Sequence, residues 1–491
     1  MVFKWSTVSI ESIAAINPDL PFENLTDDIE VSFLPMKHLE ELSGKISRLE
    51  IRKYSEVKKG YVKFIDGDIL FAKITPCMEN GKLAIALHLK NGIGFGSTEF
   101  HVIRMPEIVC RKFYFYYFIQ EKFRNLAKKS MKGTAGQLRV PADFLKTCQL
   151  PLPPLPEQHR IVAKIEELFT RLDAGVEELK KIRKQLKRYR QSVLKAAFEG
   201  KLTEKWREEH KKDLESPEIL LDRIKKNDKN KNCSVWRNSS HEIAGLLSIP
   251  KNWLCVKAEF ISEFITKGTT PSKNQMSQGV GEVPFIKVYN LTFDGSLDFS
   301  VNPTFVTKET HTGFLARSIV IPGDILINIV GPPLGKVSLV PDDFQEWNIN
   351  QAIARFRVND NLDKKFLMFY FQSETTIKSM MKKSKATAGQ FNLTLEICRD
   401  IDIPVCGLKE QHQIVQEIER RFSVIEKLEK TVEESLRQAE RLRQSILKKA
   451  FEGRLVPQDP DDEPAEKLLE RIRKEKEKLE TEKKKRKNRS V

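Results

Sequence analysis

The chain is written twice, and that constrains its fold more than any composition could. Thr134-Ala-Gly-Gln137 returns as Thr387-Ala-Gly-Gln390, an offset of 253 residues. Glu157-Gln-His159 returns as Glu410-Gln-His412 at the same offset, as do Arg190-Gln-Ser192 and Ala197-Phe-Glu-Gly200, which come back as Arg443-Gln-Ser445 and Ala450-Phe-Glu-Gly453. An ungapped register of this length does not arise from shared composition; it marks a duplication. Outside this stretch the register slips to 248. Leu220-Leu-Asp-Arg-Ile224 answers Leu468-Leu-Glu-Arg-Ile472, and Trp5 answers Trp253. The repeat unit is a globular region of about 150 residues, a long helix and a short tail helix.

The helix reading rests on spacing. From Glu157 to Gly200 the only internal Gly or Pro is Gly175. Apolar residues fall at Ile161, Ile165, Leu168, Leu172, Val176, Leu179, Ile182, Leu186, Tyr189 and Val193, the steps of three and four that make one apolar seam. The second copy repeats the seam at Ile414, Ile418, Phe422, Ile425, Leu428, Val432, Leu436, Ala439, Leu442 and Ile446. Prolines 151, 153, 154 and 156 stop the chain ahead of the first helix, and Gly200 and Gly453 are natural C-terminal caps. Such a helix is roughly 60 Å long. Its seam needs a partner of equal length, and its own repeat is the candidate. Antiparallel pairing puts the globular regions at opposite ends and is favoured over parallel pairing, although the polar stretch 201–250, with Lys225 to Asn232 all Lys, Asn and Asp, is long enough for either. The globular regions read as mixed α/β. Gly67-Asp-Ile-Leu-Phe71 and Gly323-Asp-Ile-Leu-Ile-Asn328 are strand-entry turns at comparable places in the two copies.

A net charge of +16 points to an acidic partner, most simply nucleic acid. Part of it sits in the tail, where Arg471 to Arg489 carries eleven Lys/Arg against four Glu; the remaining +9 belongs to the body. The seven cysteines, Cys77, Cys110, Cys148, Cys233, Cys255, Cys398 and Cys406, are scattered beyond zinc-ligand spacing, which reads as reduced thiols in a soluble cytoplasmic protein. The most apolar run, residues 113–119, is far short of a membrane span.

With these residues in view, the chain resembles the specificity (S) subunits of type I restriction–modification systems. The resemblance is carried by the paired Thr-Ala-Gly-Gln elements, by Pro154-Leu-Pro-Glu-Gln-His-Arg-Ile-Val162, by Arg190 to Leu202 with Thr203-Glu-Lys-Trp-Arg207, and by Lys267-Gly-Thr-Thr-Pro-Ser-Lys273. It implies a mixed α/β (α+β) chain with two target-recognition domains, 1–152 and 251–405. Long spacer helices at 153–203 and 406–456 separate them as an antiparallel coiled coil with pseudo-two-fold repetition. A polar linker with a short helix fills 204–250, and a short helix with a basic tail fills 457–491. It further implies that each domain reads one half of a bipartite, asymmetric site on double-stranded DNA while the helices set the gap. Two methyltransferase (M) subunits and restriction (R) subunits are the expected partners. S-adenosylmethionine, ATP and Mg²⁺ are expected in those partners, with no cofactor, metal or catalytic residue in this chain.

The residues agree on the last point. No Gly-rich cofactor loop and no Asn/Asp-Pro-Pro-aromatic element is present. Gly331-Pro-Pro-Leu-Gly-Lys336 fails as a phosphate loop, because the glycines are one residue too close and Val337 stands where Ser or Thr must hold Mg²⁺. A β-turn next to DNA is the better reading. Pro460-Asp-Asp-Glu463 and Glu466 are read as acids at a helix N-terminus rather than as a nuclease. His159 and His412, one per helix start, have no second ligand and are read as packing or hydrogen-bonding groups.

Specificity on DNA should come from polar loop side chains on base edges, and affinity from Lys and Arg on phosphates. The candidates in the first domain are Lys73, Thr75, Asn80, Lys82, Ser97, Thr98, Thr134, Gln137 and Arg139. In the second they are Lys267, Thr269, Thr270, Asn328, Lys336, Asn350, Gln351, Thr387, Gln390 and Asn392. The Thr-Ala-Gly-Gln element has two open readings. Its glycine could let backbone approach a phosphate, or the element could be the tight turn that docks a strand onto the helix. A structural coiled-coil protein with a sequence-blind basic tail is the competing class, and a self-sufficient nuclease or methyltransferase a third.

Overall fold

The structure is a computed structural model that describes residues 5–20, 25–134, 136–212, 214–227, 242–243, 245, 247–331, 333–384, 386–387 and 390–489. Cys233, residues 228–232 of the polar linker, Ala135, Pro332, Ala388 and Gly389 lie outside them. The chain divides into two compact units: Met1–Leu179 with Glu433–Val491, and Lys180–Val432. Each unit contains part of each long helix, Leu155–Phe198 and Leu408–Phe451.

The first long helix starts two residues earlier than the Glu-Gln-His element suggested. Pro156 lies in its first turn, where a missing amide hydrogen costs nothing. Both long helices end as expected. Gly200 and Gly453 take φ of +68° and +69°. Lys201 N donates to Ala196 O at 2.9 Å and Gly200 N to Ala197 O at 3.0 Å, a Schellman closure repeated by Arg454 and Gly453.

In the first unit three sheets and their helices enclose separate apolar cores, one against the long helices, one between the two four-stranded sheets and one on the far face of the second. Ala15–Ile16, Phe100–Arg104, Ile69–Ala72 and Leu83–Ile85 form an antiparallel sheet in that order. Glu50–Lys53, Glu30–Leu34, Ile93–Gly96 and Val62–Ile65 form a second, with the middle two strands parallel. Ser6–Ser9 pairs with Gln149–Leu152. The aromatic helix Arg111–Ile119 buries Phe113, Tyr114 and Phe118 against Ile161 and Ile165 of the first long helix and against Ile446, Leu447 and Ala450 of the second. Further along, Arg443 pairs with Asp173 and its guanidinium lies 4.5 Å over the Phe169 ring. As the first helix runs forward the second runs back, so within this unit they pair antiparallel.

The second unit repeats this plan. Ser262–Lys267, Ile353–Val358, Ile325–Asn328 and Val337–Leu339 make its antiparallel sheet. A five-stranded sheet again holds a parallel pair, Val283–Ile286 with Trp347–Ile349, and Leu254–Lys257 pairs with Asp402–Val405. Arg190 lies 4.3 Å over Phe422 and beside Glu426 and Glu429, the counterpart of Arg443 on Phe169. The match extends to single bonds. Lys112 Nζ reaches Glu166 Oε1 at 2.6 Å, and Lys365 Nζ reaches Glu419 Oε1 at 2.6 Å. Trp5 Nε1 donates to Glu157 Oε2 at 3.1 Å, and Trp253 Nε1 to Glu410 Oε2 at 3.1 Å.

The Glu-Gln-His element is therefore a docking device rather than an exposed helix start. Gln158 accepts from Cys110 N at 3.1 Å and donates to Pro153 O at 2.9 Å; Gln411 does the same with Asp363 N and Cys406 O. Burial pushes the Glu157 carboxyl up, whereas Glu410 is paired with Arg207 at 2.6 Å. His412 lies 3.6 Å from Asp363, and His159 is exposed. The acids before the tail helix Ala465–Arg489 depart in part from the capping expectation. Asp462 instead grips Arg160 of the first long helix at 2.7 and 3.1 Å, while Glu466, in the first turn, accepts from Ser6 Oγ at 2.9 Å.

The strand-entry turns carry a buried ion pair that their sequence did not announce. Gly67 and Gly323 take φ of +88° and +86°. The aspartate after each closes its turn by accepting from Ile65 N at 2.8 Å or Ile321 N at 3.0 Å. The same aspartates each receive two bonds from an arginine, Arg104 onto Asp68 and Arg357 onto Asp324.

Candidate nucleic-acid interface

The strand Ile69–Ala72 continues past its sheet, and the continuation is where polar loops converge. Lys73 N donates to Glu99 O and Lys73 O accepts from Val140 N, both at 2.9 Å; Thr75 N donates to Leu138 O at 2.9 Å. Lys132 and Arg139 exchange two 2.9 Å backbone bonds, and Gln137 N bonds Thr134 O at 3.0 Å. The Thr-Ala-Gly-Gln element is thus the tip of a hairpin whose base is pinned to residues 73–75. Thr134, Gly136 and Gln137 are exposed, Gly136 takes φ of +81°, and a Cβ built on it would meet nothing within 4 Å. The hairpin docks on the strand continuation, not on the long helix.

Lys73, Thr75, Ser97, Thr98, Thr134, Gln137 and Arg139 therefore come together. Arg139 is committed to Glu99 by bonds of 2.9 and 3.0 Å, and Ser97 Oγ accepts from Glu99 N at 3.2 Å. Asn80 and Lys82 occupy the next turn, where Asn80 Nδ2 bonds Glu41 at 2.8 Å and Lys82 Nζ bonds Met36 O at 3.4 Å.

The second unit builds the same place differently. Val330 and Gly331 continue the strand Ile325–Asn328 and pair with Asn392 and Phe391, while Thr387 pairs with Gln390. The side chains of Thr387 and Gln390 lie outside the described residues. Gly268 N bonds Ile353 O, Thr269 N bonds Ile349 O, and Gln351 N bonds Thr270 Oγ1 at 3.4 Å. Lys267, Thr270, Gln351 and Asn392 are exposed around this hairpin, and Thr269 is half-buried among them. Asn350 holds a buried Oδ1 with no hydrogen-bond partner. Asn328 is turned inward. It is fully buried, donates to Pro333 O at 2.8 Å and accepts from Lys336 N at 2.9 Å, so its amide closes the Gly331–Lys336 turn. Lys336 Nζ reaches Val288 O at 3.2 Å and stands 5.9 Å from the Phe293 ring. Exposed Tyr289 and Phe293, beside Lys287 and Lys336, form an aromatic and cationic patch that the sequence reading passed over. Part of the signal was present as Lys287-Val-Tyr-Asn-Leu-Thr-Phe293, one cation followed by two aromatics, while Lys336 is brought to it only by the fold.

One titratable group anchors the first cluster. His101, 5% exposed, receives Asn17 Nδ2 at Nδ1 (3.1 Å) and donates through Nε2 to Val140 O (2.8 Å). Burial lowers its pKa, with nearby Lys73 pulling the same way. Folded His101 then resists the proton that the unfolded chain accepts, so stability present above the unfolded value fades as pH falls below it. The first unit should lose up to about 1.4 kcal/mol per pH unit below about pH 6.5 from this residue. Urea unfolding at pH 7.5 and 5.5 should show a smaller pH dependence in His101→Gln than in wild type; an equal dependence would rule the anchor out. The counterpart in the second unit is Ala354, which cannot titrate.

A second surface is duplicated as well. Gln444 Oε1 accepts from Glu121 N at 3.2 Å, where the helix Glu121–Ser130 begins, and Gln191 Oε1 accepts from Glu374 N at 2.7 Å, where Glu374–Lys383 begins. Beside each bond runs an open groove. The one in the first unit, about 1010 Å³, is lined by Lys122, Leu126, Lys129, Ser445, Lys448 and Phe451. The one in the second, about 520 Å³, is lined by Lys187, Arg188, Ser192, Lys195 and Lys378. Among the described residues no group of three or more His, Cys, Asp or Glu is placed to hold a metal, and no helix is long and apolar enough to cross a membrane.

Comparison with known proteins agrees with this duplication. The Escherichia coli EcoBI type I restriction enzyme specificity subunit is 28% identical over 496 residues, covering 96% of this chain and 92% of the relative. The EcoEI specificity subunit from the same species is 28% identical, covering 86% and 78%. The EcoAI specificity subunit is 42% identical over 170 residues, but there the chain spans only 28% of the relative's length. A solved structure described as the structural basis of complex assembly and conformational transition of the type I R-M system shares the fold, with a TM-score of 0.63, 20% identity, and coverage of 91% of this chain and 97% of that one. The family model for the type I restriction modification DNA specificity domain matches residues 3–188 and again 250–438, the two stretches that the repeat defines, so the chain belongs to that family and carries its domain twice.

Proposed function

We propose that this chain is the non-catalytic DNA sequence-specificity subunit of a type I restriction–modification complex in the cytoplasm. Target-recognition domains 1–152 and 251–405 each read one half of a bipartite, asymmetric duplex site. The spacer helices, 153–203 and 406–456, fix the gap, and the segments 204–250 and 457–491 tie them to the domains. Two methyltransferase subunits dock on the helices, the duplicated grooves beside Gln191 and Gln444 being suited to this because each joins a long helix to a domain. Restriction subunits complete the complex, and S-adenosylmethionine, ATP and Mg²⁺ belong to the partners.

The observation that carries the reading is one framework with two different polar loop clusters. The hairpin, its strand continuation and the docking bonds recur, while the side chains on the loops do not: Arg139–Glu99 in the first unit stands against Asn392 and Gln351 in the second. Shared frame with divergent readers is what two half-sites of different sequence require. Arg and Lys suit guanine edges, and Asn and Gln suit adenine. Exposed Lys267 and Asn392, each at the end of a strand, and Gln351, in a turn, are stronger base-reading candidates than inward-facing Asn328, and Tyr289 and Phe293 join them as groups able to stack or pack on the duplex.

Methylation sequencing of a host expressing this chain with its methyltransferase subunit tests the proposal. Adenine methylation should appear at two short half-sites separated by a fixed, unread gap. Methylation at a single continuous site, or at none, would overturn it.

A further inference from the structure

The tail helix has two halves of different chemistry. Its first two turns bury Ala465, Leu468 and Ile472 in the core of the first unit. Past Ile472 the stripe that was apolar carries Lys476 and Lys483, with Leu479 between them. Lys476 reaches the main-chain carbonyl of Glu11, and the helix then runs thirteen residues further, from Glu477 to Arg489. At 1.5 Å per residue that is roughly 20 Å of helix past Lys476. From Arg471 to Arg489 eleven cations face four acids, and Lys483-Lys-Lys-Arg-Lys487 is an unbroken run of five. Five cations on successive residues make a density of positive charge that the closely spaced phosphates of a polyanion match.

Its placement is specific. The helix keeps company with the N-terminal strand, Glu466 receiving Ser6 Oγ and Lys476 reaching Glu11. The chain beyond Glu11 leads to Asn17, which bonds His101, which bonds Val140, whose amide bonds Lys73 O of the first loop cluster. We propose that residues 477–489 form a cationic arm that lies along the phosphate backbone of duplex DNA beside the first half-site, adding affinity without reading bases. The inference rests on the DNA-reading assignment above and adds to it a part that no base contact supplies.

The test uses the complex of this chain with its methyltransferase subunits. One variant ends after Lys476, and a second, full-length, carries Lys483→Gln, Lys484→Gln, Lys485→Gln, Arg486→Gln and Lys487→Gln. Binding to duplexes with and without the methylated site is measured across a salt series. Each cation on a phosphate displaces one condensed counterion, so removing five should flatten the slope of log affinity against log salt by about 4, and affinity near physiological salt should drop about tenfold or more for both duplexes. The preference between duplexes and the thermal unfolding of the variants should stay as in wild type. An unchanged slope, or a loss confined to the cognate duplex, would overturn the arm. Weaker recovery of methyltransferase subunits with an unchanged slope would make the tail a protein contact and overturn it equally. If the wild-type complex itself prefers no duplex, the half-site reading fails, while the slope on any duplex still decides the arm.

Discussion

Replacing Asp324 by alanine should lower the stability of the second unit by about 3 kcal/mol, because it strips a half-buried arginine of its counter-charge. Asp324 is 2% exposed and receives Arg357 Nε at 2.9 Å and Nη2 at 2.7 Å, as well as the amide of Ile321. The Arg357 side chain keeps 22% of its surface, so water partly compensates it, and the lower end of the range for broken buried pairs applies. For a unit of this size the loss corresponds to a melting point lower by about 6–12 °C. Asp68→Ala should do the same in the first unit through Arg104. Hydrogen exchange read peptide by peptide assigns each loss to a unit: Asp324→Ala should deprotect Ile325–Asn328 and Ile353–Val358 and leave Ile69–Ala72 as it was. Adding Arg357→Met should restore most of the stability, since an apolar replacement of both partners removes the stranded charge. A double variant no more stable than the single one would mean that the turn closed by Asp324, and not the ion pair, holds the unit together.

These pairs also show what the sequence could and could not disclose. Long helices, their glycine caps and the strand-entry turns were legible because their signals are local: a period of three to four, a position needing positive φ, a Gly-Asp before an apolar run. Pairing of the helices followed from matched length and an apolar seam, but their antiparallel sense was only favoured, because the polar stretch 201–250 is long enough for either. The sheets were not legible. Glu30–Leu34 lies parallel to Ile93–Gly96 across some sixty residues of chain, a partner that no spacing announces. Polar residues were the harder case, since polarity does not report direction. Asn328 looked like a base reader and serves its own turn; Glu157 and Gln158 stood out only as a repeated element and dock a tryptophan and a backbone amide. In each, a buried backbone or indole group needs a partner, and a nearby polar side chain supplies it. Asp462 follows the same logic, drawn to Arg160 rather than to helix amides. The candidates that stayed on the surface, among them Thr134, Gln137, Lys267, Gln351 and Asn392, cluster around the duplicated hairpin, which only the fold brings together.

Exchanging residues 1–152 for the corresponding domain of another family member should change one half of the methylated site and leave the other half and the gap intact. The exchange is structurally tolerable because the bonds that seat a domain on the long helices recur in both copies: an indole on Glu157 or Glu410, a backbone amide on Gln158 or Gln411, a lysine on Glu166 or Glu419. A donor domain that keeps its tryptophan and lysine finds the same seats, while its own hairpin replaces Thr134, Gln137 and their neighbours at the duplex. Base contacts contribute about 1–3 kcal/mol each, so removing two of about 2 kcal/mol reduces occupancy of the original half-site close to a thousandfold, enough to erase its methylation signal. Methylation sequencing of the chimera against wild type reads the outcome. If both halves change together, or if the gap shifts with the domain, the two clusters do not read independently, and a single composite surface must replace two readers on a shared frame.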